Sequence, residues 1–181
     1  MRQLANIFLG GCILALTGCA GNIPREIQTA PIEDPGVREV RDNIDHYTGR
    51  SVRWGGEIAA VENRENETWI EVVSKPLGSY GEPRDEDDSG GRFLARIEGF
   101  VDPQIYAEGR ELTVVGEVES RIVRSIGEHP YTYPLIRATS HYLWPEYARR
   151  ERDDYHLRYH YGHPFYHGYG FGYRRYYPYY W

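Results

Sequence analysis

The chain has 181 residues, which bounds it to one domain with accessory segments. Apolar residues at 40% and charged residues at 27% fit a folded core, while a net charge of −6 with a single Lys excludes a polybasic nucleic-acid binder. Only one long apolar run occurs, which excludes a polytopic helical membrane protein.

That run lies at the N-terminus. Arg2 precedes an apolar stretch from Leu4 to Leu16, the charged and apolar regions of a secretory signal. It is shorter than the roughly 20 residues a spanning helix needs. Leu16-Thr17-Gly18-Cys19 closes it and resembles the lipobox of bacterial lipoproteins. The resemblance implies a signal peptide over 1–18, with Leu16, Thr17 and Gly18 recognised by the signal peptidase. It also implies a diacylglyceryl thioether on Cys19, whose new amino group is then acylated. Three chains hold a protein far more firmly than the marginal binding of one. Ala20 follows where the same pattern uses Asp for inner-membrane retention, so the outer membrane is expected. The only other cysteine, Cys12, leaves with the signal, so the mature chain has no free thiol for a disulfide, a thiolate metal site or a nucleophile.

Residues 19–36 read as a lipidated Cys and a polar tether carrying Pro24, Pro31 and Pro35, with a span of roughly 20–25 Å. Asp34-Pro35 has the form of an N-cap with Pro at the first helical position. Val37, Val40, Ile44 and Tyr47 then fall at helical spacing up to Gly49, which predicts one short amphipathic helix. From Ser51 the period becomes two. Val52, Trp54, Gly56 and Ile58 share one face of a first strand, with Gly55-Gly56 marking a bulge or sharp coil. Further strands are expected over 68–74, 92–98 and 111–119, the last extending as far as Arg124, and over 135–144. Residues 78–91 form an acidic, Gly-containing loop, and Asp102-Pro103 opens a single helical turn that ends near Gly109. Five strands with a short helical element between the third and fourth predict an all-β fold, a small OB-like barrel, with a β-sandwich as the alternative. Domain boundaries are expected at 37–147 for the β domain and 148–181 for a charged segment and tail.

Several of these segments together resemble one family. They are Trp54-Gly55-Gly56 with Ile58, Val61-Glu62-Asn63, Ser89-Gly90-Gly91-Arg92-Phe93, Gly99-Phe100 with Asp102-Pro103, Tyr106, Gly109-Arg110, Leu112-Thr113-Val114-Val115-Gly116 and Tyr142-Leu143-Trp144. The pattern is similar to the Slp family of starvation-inducible outer-membrane lipoproteins of Gram-negative bacteria. It covers about residues 1–147, and the last 27 residues fall outside it. The resemblance implies lipid anchoring in the outer membrane, a small β domain and a link to starvation or stationary phase. It implies no enzymatic activity.

Individual motifs add little chemistry. Asp88-Ser89-Gly90-Gly91 resembles part of the trypsin-type nucleophile motif. Asp87 stands where that motif has its first Gly, and the nearest upstream His is His46 on a predicted surface helix, so a turn is the better reading. Residues 82–88 hold five carboxylates, without the alternating ligands and Gly turn of an EF-hand, and read as a solvated loop. Residues 37–148 carry 13 basic and 21 acidic side chains, which argues against nucleic acid as an OB-type ligand. Trp54, Trp69 and Trp144 read as core or rim packing rather than a ligand groove. No cofactor is expected.

Residues 155–181 contain ten Tyr, four His, four Gly and three Arg with no acidic residue, a low-complexity composition that cannot build a core. The segment is expected to be disordered. Its leading role is a sticky arm whose rings and Arg side chains stack on an envelope protein, glycan or headgroup. Two alternatives are weak metal binding through His156, His160, His163 and His167, and self-association by β-pairing. The function expected from the whole sequence is a non-catalytic binding or structural role at the outer membrane, on its periplasmic face. A metal-binding lipoprotein and an envelope hydrolase are the alternatives.

Overall fold

The computed structural model describes residues 23–146. Its framework is a closed five-stranded barrel in the order β1-β2-β3-β5-β4. The strands are β1 (Ser51–Asn63), β2 (Glu67–Lys75), β3 (Arg92–Glu98), β4 (Glu111–Ile126) and β5 (His129–Leu143). All neighbours are antiparallel except β3 and β5, which run parallel through Leu94–Arg96 and Leu135–Arg137. This is the OB order, and it excludes the sandwich.

Closure depends on β1. Its first half, Ser51 to Glu57, pairs with β4, and its second half, from Gly55, pairs with β2. The strand must therefore coil sharply where both partners meet. Gly56 sits there because a Cβ would lie 1.8 Å from the Val73 carbonyl oxygen. The bulge expected at Gly55-Gly56 falls slightly later, between Ile58 and Ala60. The glycines serve close approach of three strands instead.

Alternation sends Val52, Trp54 and Ile58 of β1, Ile70 and Val72 of β2, and Phe93, Ala95 and Ile97 of β3 inward. Leu112, Val114 and Val118 of β4 and Ile136 of β5 complete a continuous apolar interior. Both mouths are plugged. The predicted N-terminal helix is two short pieces, α2 (Val37–Asp42) and α3 (Ile44–Tyr47), broken at Asn43, whose φ of −147° and ψ of 58° leave the helical region. Val37, Val40 and Ile44 enter the core from this end. Asp34 does not cap the helix. Its Oδ1 accepts the Arg53 backbone N–H at 2.9 Å, and Gly36 takes the N-cap place. At the other mouth Val101 is held by Thr68 and Asn63: its N–H donates to Thr68 Oγ1, and its carbonyl accepts the Asn63 amide. The expected turn after Asp102 is present, with the Gln104 N–H donating to Asp102 Oδ1 at 2.9 Å.

Two regions depart from the sequence reading. β4 and β5 run on as a long hairpin through a two-residue loop, Gly127-Glu128, with Gly127 in the left-handed region at φ +60°. Residues 23–36, expected as a free tether, lie against the barrel. They carry α1 (Arg25–Gln28), and Ile27 is fully buried where α1 packs against β4 and β5. Pro145 begins a second unit, 145–181, of which only Pro145 and Glu146 are described.

Candidate functional site

In OB barrels the outer face of β2 and β3, with the β1–β2 and β4–β5 loops, is the usual ligand surface. In this chain that face carries Trp69, Glu71, Leu94 and Arg96. The β4–β5 hairpin folds across β3 onto it. Trp69, Leu94, Tyr133 and Leu135 form a second buried cluster, flanked by Ile122, Ile126 and Tyr131. Tyr133 donates its hydroxyl to Glu71 Oε1 at 3.1 Å. Burial first, then the charge and bond of Glu71, push the Tyr133 phenol up to about 12. Tyr131 accepts the Arg92 backbone N–H at 2.8 Å and Arg41 Nη1 at 3.1 Å, joining the hairpin to β3 and α2.

Charged side chains seal the edge of this cluster. The Arg64 guanidinium lies 3.6 Å from the Trp69 ring centroid, and that of Arg124 lies 5.2 Å away. The indole N–H of Trp69 donates to Glu67 at 2.6 Å. Glu62 pairs with Arg64 at 3.0 Å and with Arg124 at 2.9 Å. Burial raises the Glu62 carboxyl, but the bonds from the two arginines outweigh it and hold the group below its ordinary value. The surface on which OB proteins take ligands is thus occupied by the chain's own aromatic hairpin and its ion pairs.

The other candidate residues are used structurally. Trp54 is 5% exposed, packs edge-on to Phe93 and donates its indole N–H to the Pro35 carbonyl. Trp144 donates its indole N–H to Thr113 Oγ1 at 2.9 Å, and Thr113 in turn donates to the Gly81 carbonyl at 2.6 Å. Ser89 turns back on its own loop, where its Oγ accepts the Gly91 N–H at 3.1 Å. In the acidic loop, Glu82 folds inward to accept the Tyr80 N–H, Asp85 faces Lys75 at 3.9 Å, and Glu86 faces Arg84 at 3.5 Å. Among the described residues no group of three or more His, Cys, Asp or Glu is placed to hold a metal ion.

Two clefts open on either side of Asp34-Pro35. One, of about 470 Å³, is lined by Glu33, Glu39, His46, Tyr47 and Arg50. Its charges are internally paired, Arg50 with Glu33 and the Tyr47 hydroxyl with Glu39. The other, of about 380 Å³, is lined by Arg53, Trp54, Lys75, Leu77 and Asp88. Lys75 is committed to Glu57 at 2.8 Å, and Arg53 to the carbonyls of Ile27 and Gln28. Burial raises the Asp34 carboxyl between the clefts, against the opposing effect of Arg53. Neither cleft presents a nucleophile beside a general base.

Leu16, Thr17, Gly18 and Cys19 lie outside the described residues, as do His156, His160, His163 and His167. The hairpin network of Tyr131, Tyr133, Arg64 and Arg124 was not legible as a site. Alternation does run through 120–134, but Pro130 and Pro134 interrupt the strand signal.

Comparison with known proteins supplies the lineage. An OBody bound to hen egg-white lysozyme aligns with 65% of this chain and 97% of its own at a TM-score of 0.37 and 12% identity. An uncharacterized lipoprotein, YeaY, of Escherichia coli is 30% identical over 142 residues, 78% of this chain and 72% of its own. Outer membrane protein Slp of the same organism is 28% identical over 144 residues, 77% of this chain and 76% of its own. The family description "outer membrane lipoprotein Slp family" matches residues 16–181. The match starts at Leu16 and runs past residue 147, so the tail lies inside the family's extent rather than beyond it. The chain belongs to the outer membrane lipoprotein Slp family.

Proposed function

We propose that the protein is anchored by lipid on Cys19 to the periplasmic leaflet of the outer membrane, and that it serves there as a non-catalytic binding or structural element. Leu16, Thr17 and Gly18 direct processing before Cys19. The barrel is the mount, and the Tyr-, His- and Arg-rich segment 155–181 makes contact with an envelope protein or glycan. Its abundance rises in starvation or stationary phase.

One observation carries the non-catalytic part: the β2–β3 face, where an OB barrel takes its ligand, is covered by Tyr133, Leu135 and the rest of the hairpin. The interior is filled by apolar side chains, so no enclosed reaction site is left there. Ring and guanidinium surfaces concentrated in the tail supply the adhesive chemistry for this contact.

In-cell crosslinking of the full chain against a chain ending at Ala148 tests the reading, since both retain Cys19. Loss of the crosslinked partner with the tail is expected. An unchanged set of partners would place contact on the barrel and contradict the assignment.

A further inference from the structure

The anchor and the barrel are joined by very little chain. Ile23 is four residues beyond Cys19, a reach of at most about 15 Å. From Ile23 on, the segment belongs to the body. The Pro24 carbonyl accepts the N–H groups of Ile27 and Gln28, and Ile27 is fully buried. Arg53 clamps the segment twice, through Nη1 to the carbonyls of Ile27 and Gln28 at 2.9 and 3.1 Å, and through its backbone N–H to Asp34 at 2.9 Å. A domain of about 120 residues has a radius of gyration of about 14 Å, so the body is wider than its leash is long. The side of the barrel carrying α1, where it packs on β4 and β5, is then turned toward the bilayer.

Among the described residues, that side displays exposed apolar side chains. Ile32 lies in the loop between the two Arg53 clamps and is 106% exposed. Tyr80 is 63% exposed, and its neighbour Gly81 lies directly against the Ile27 carbonyl. The exposed Arg25 of α1 adds a cation suited to a phosphate headgroup. An aliphatic side chain, a tyrosine and an arginine around a lipid attachment are the elements of an interfacial contact. The carboxylates at 85–88 belong to the later part of the same loop, near Lys75, and an anionic surface would exclude them from the contact.

We infer that the barrel docks on the phospholipid surface that holds its anchor, through Ile32, Tyr80 and Arg25, instead of standing off it on a tether. The inference rests on the Cys19 anchor proposed above. Trp144 lies on this same side, tied through Thr113 to Gly81, which touches Ile27.

The test uses the lipidated protein in phosphatidylethanolamine–phosphatidylglycerol vesicles. Ile32→Cys, Tyr80→Cys and Val123→Cys each introduce one labelling thiol, and a polarity-sensitive fluorophore is read against nitroxide-bearing lipids. Val123 is an exposed control beside Arg124, which pairs with Glu62 at the far end of β1 from Arg53. Quenching at positions 32 and 80 is expected to exceed that at 123 by about twofold or more. Equal quenching at all three in protein shown by mass spectrometry to be acylated on Cys19 would overturn the docking alone. Protein without lipid on Cys19 would overturn the anchor, and this inference with it.

Discussion

Single residues at strand crossings set the tolerance of this barrel. Gly56→Ala would place a methyl against the Val73 carbonyl, a clash with backbone that no rotamer relieves. We expect a loss of about 3 kcal/mol or more, read as a lower urea midpoint. Thr113→Val would remove the acceptor of the Trp144 indole and the donor to the Gly81 carbonyl, both buried. A loss of about 2–4 kcal/mol is expected in the same experiment. His141 gives the fold an acid-sensitive point. Its Nε2 shares a 3.0 Å hydrogen bond with the Tyr106 hydroxyl, and burial lowers its affinity for a proton below the ordinary value of 6.5. The unfolded chain therefore binds the proton more readily than the native one. The stability present above about pH 6.5 declines as pH falls from there toward the lower native value. Thermal unfolding at a series of pH values should show this decline, and His141→Gln should flatten it. These residues were only partly visible in the sequence. Gly55-Gly56 announced a special backbone, but alternation cannot report which strands converge on it. Nothing local to Asp34 distinguishes an N-cap from an acceptor for Arg53.

The element that decides what the barrel can do is the β4–β5 hairpin. Strand periodicity located all five strands, and β3 with its observed ends, because each carries mostly apolar side chains at alternate places. The hairpin's outer half escaped because its apolar residues face a second, smaller core on the outside of β2 and β3. A proline is tolerated at 134 and 130 because this part of β5 lies beyond its pairing with β3. Trp69 is the keystone of that covering. Trp69→Ala should cost about 3–5 kcal/mol, and it should raise amide hydrogen exchange through 120–134 more than elsewhere in the barrel. Tyr133→Phe removes only the bond to Glu71 and should cost about 1 kcal/mol with the hairpin still protected. Equal protection of the hairpin in the Trp69 variant would show that its ion pairs, not its aromatic cluster, keep it in place.

At the scale of the whole molecule, Ile27 near the start of the described residues and Trp144 near their end converge on one wall of a plugged barrel. The two are linked through Gly81 and Thr113. This convergence was not legible in the sequence, since the polar, proline-rich run 20–36 gives no sign that Ile27 is a core residue. The lipid address was the plainest signal, since a charged start, an apolar run and Leu16-Thr17-Gly18-Cys19 occur together at one terminus. The proposed anchoring and the docking of the barrel both depend on that address. Mass spectrometry of the N-terminal peptide, from protein extracted from the outer membrane, tests it most directly. A mature chain that begins at Cys19 and carries three acyl chains is expected. A chain that begins elsewhere, or an unmodified Cys19, would contradict it.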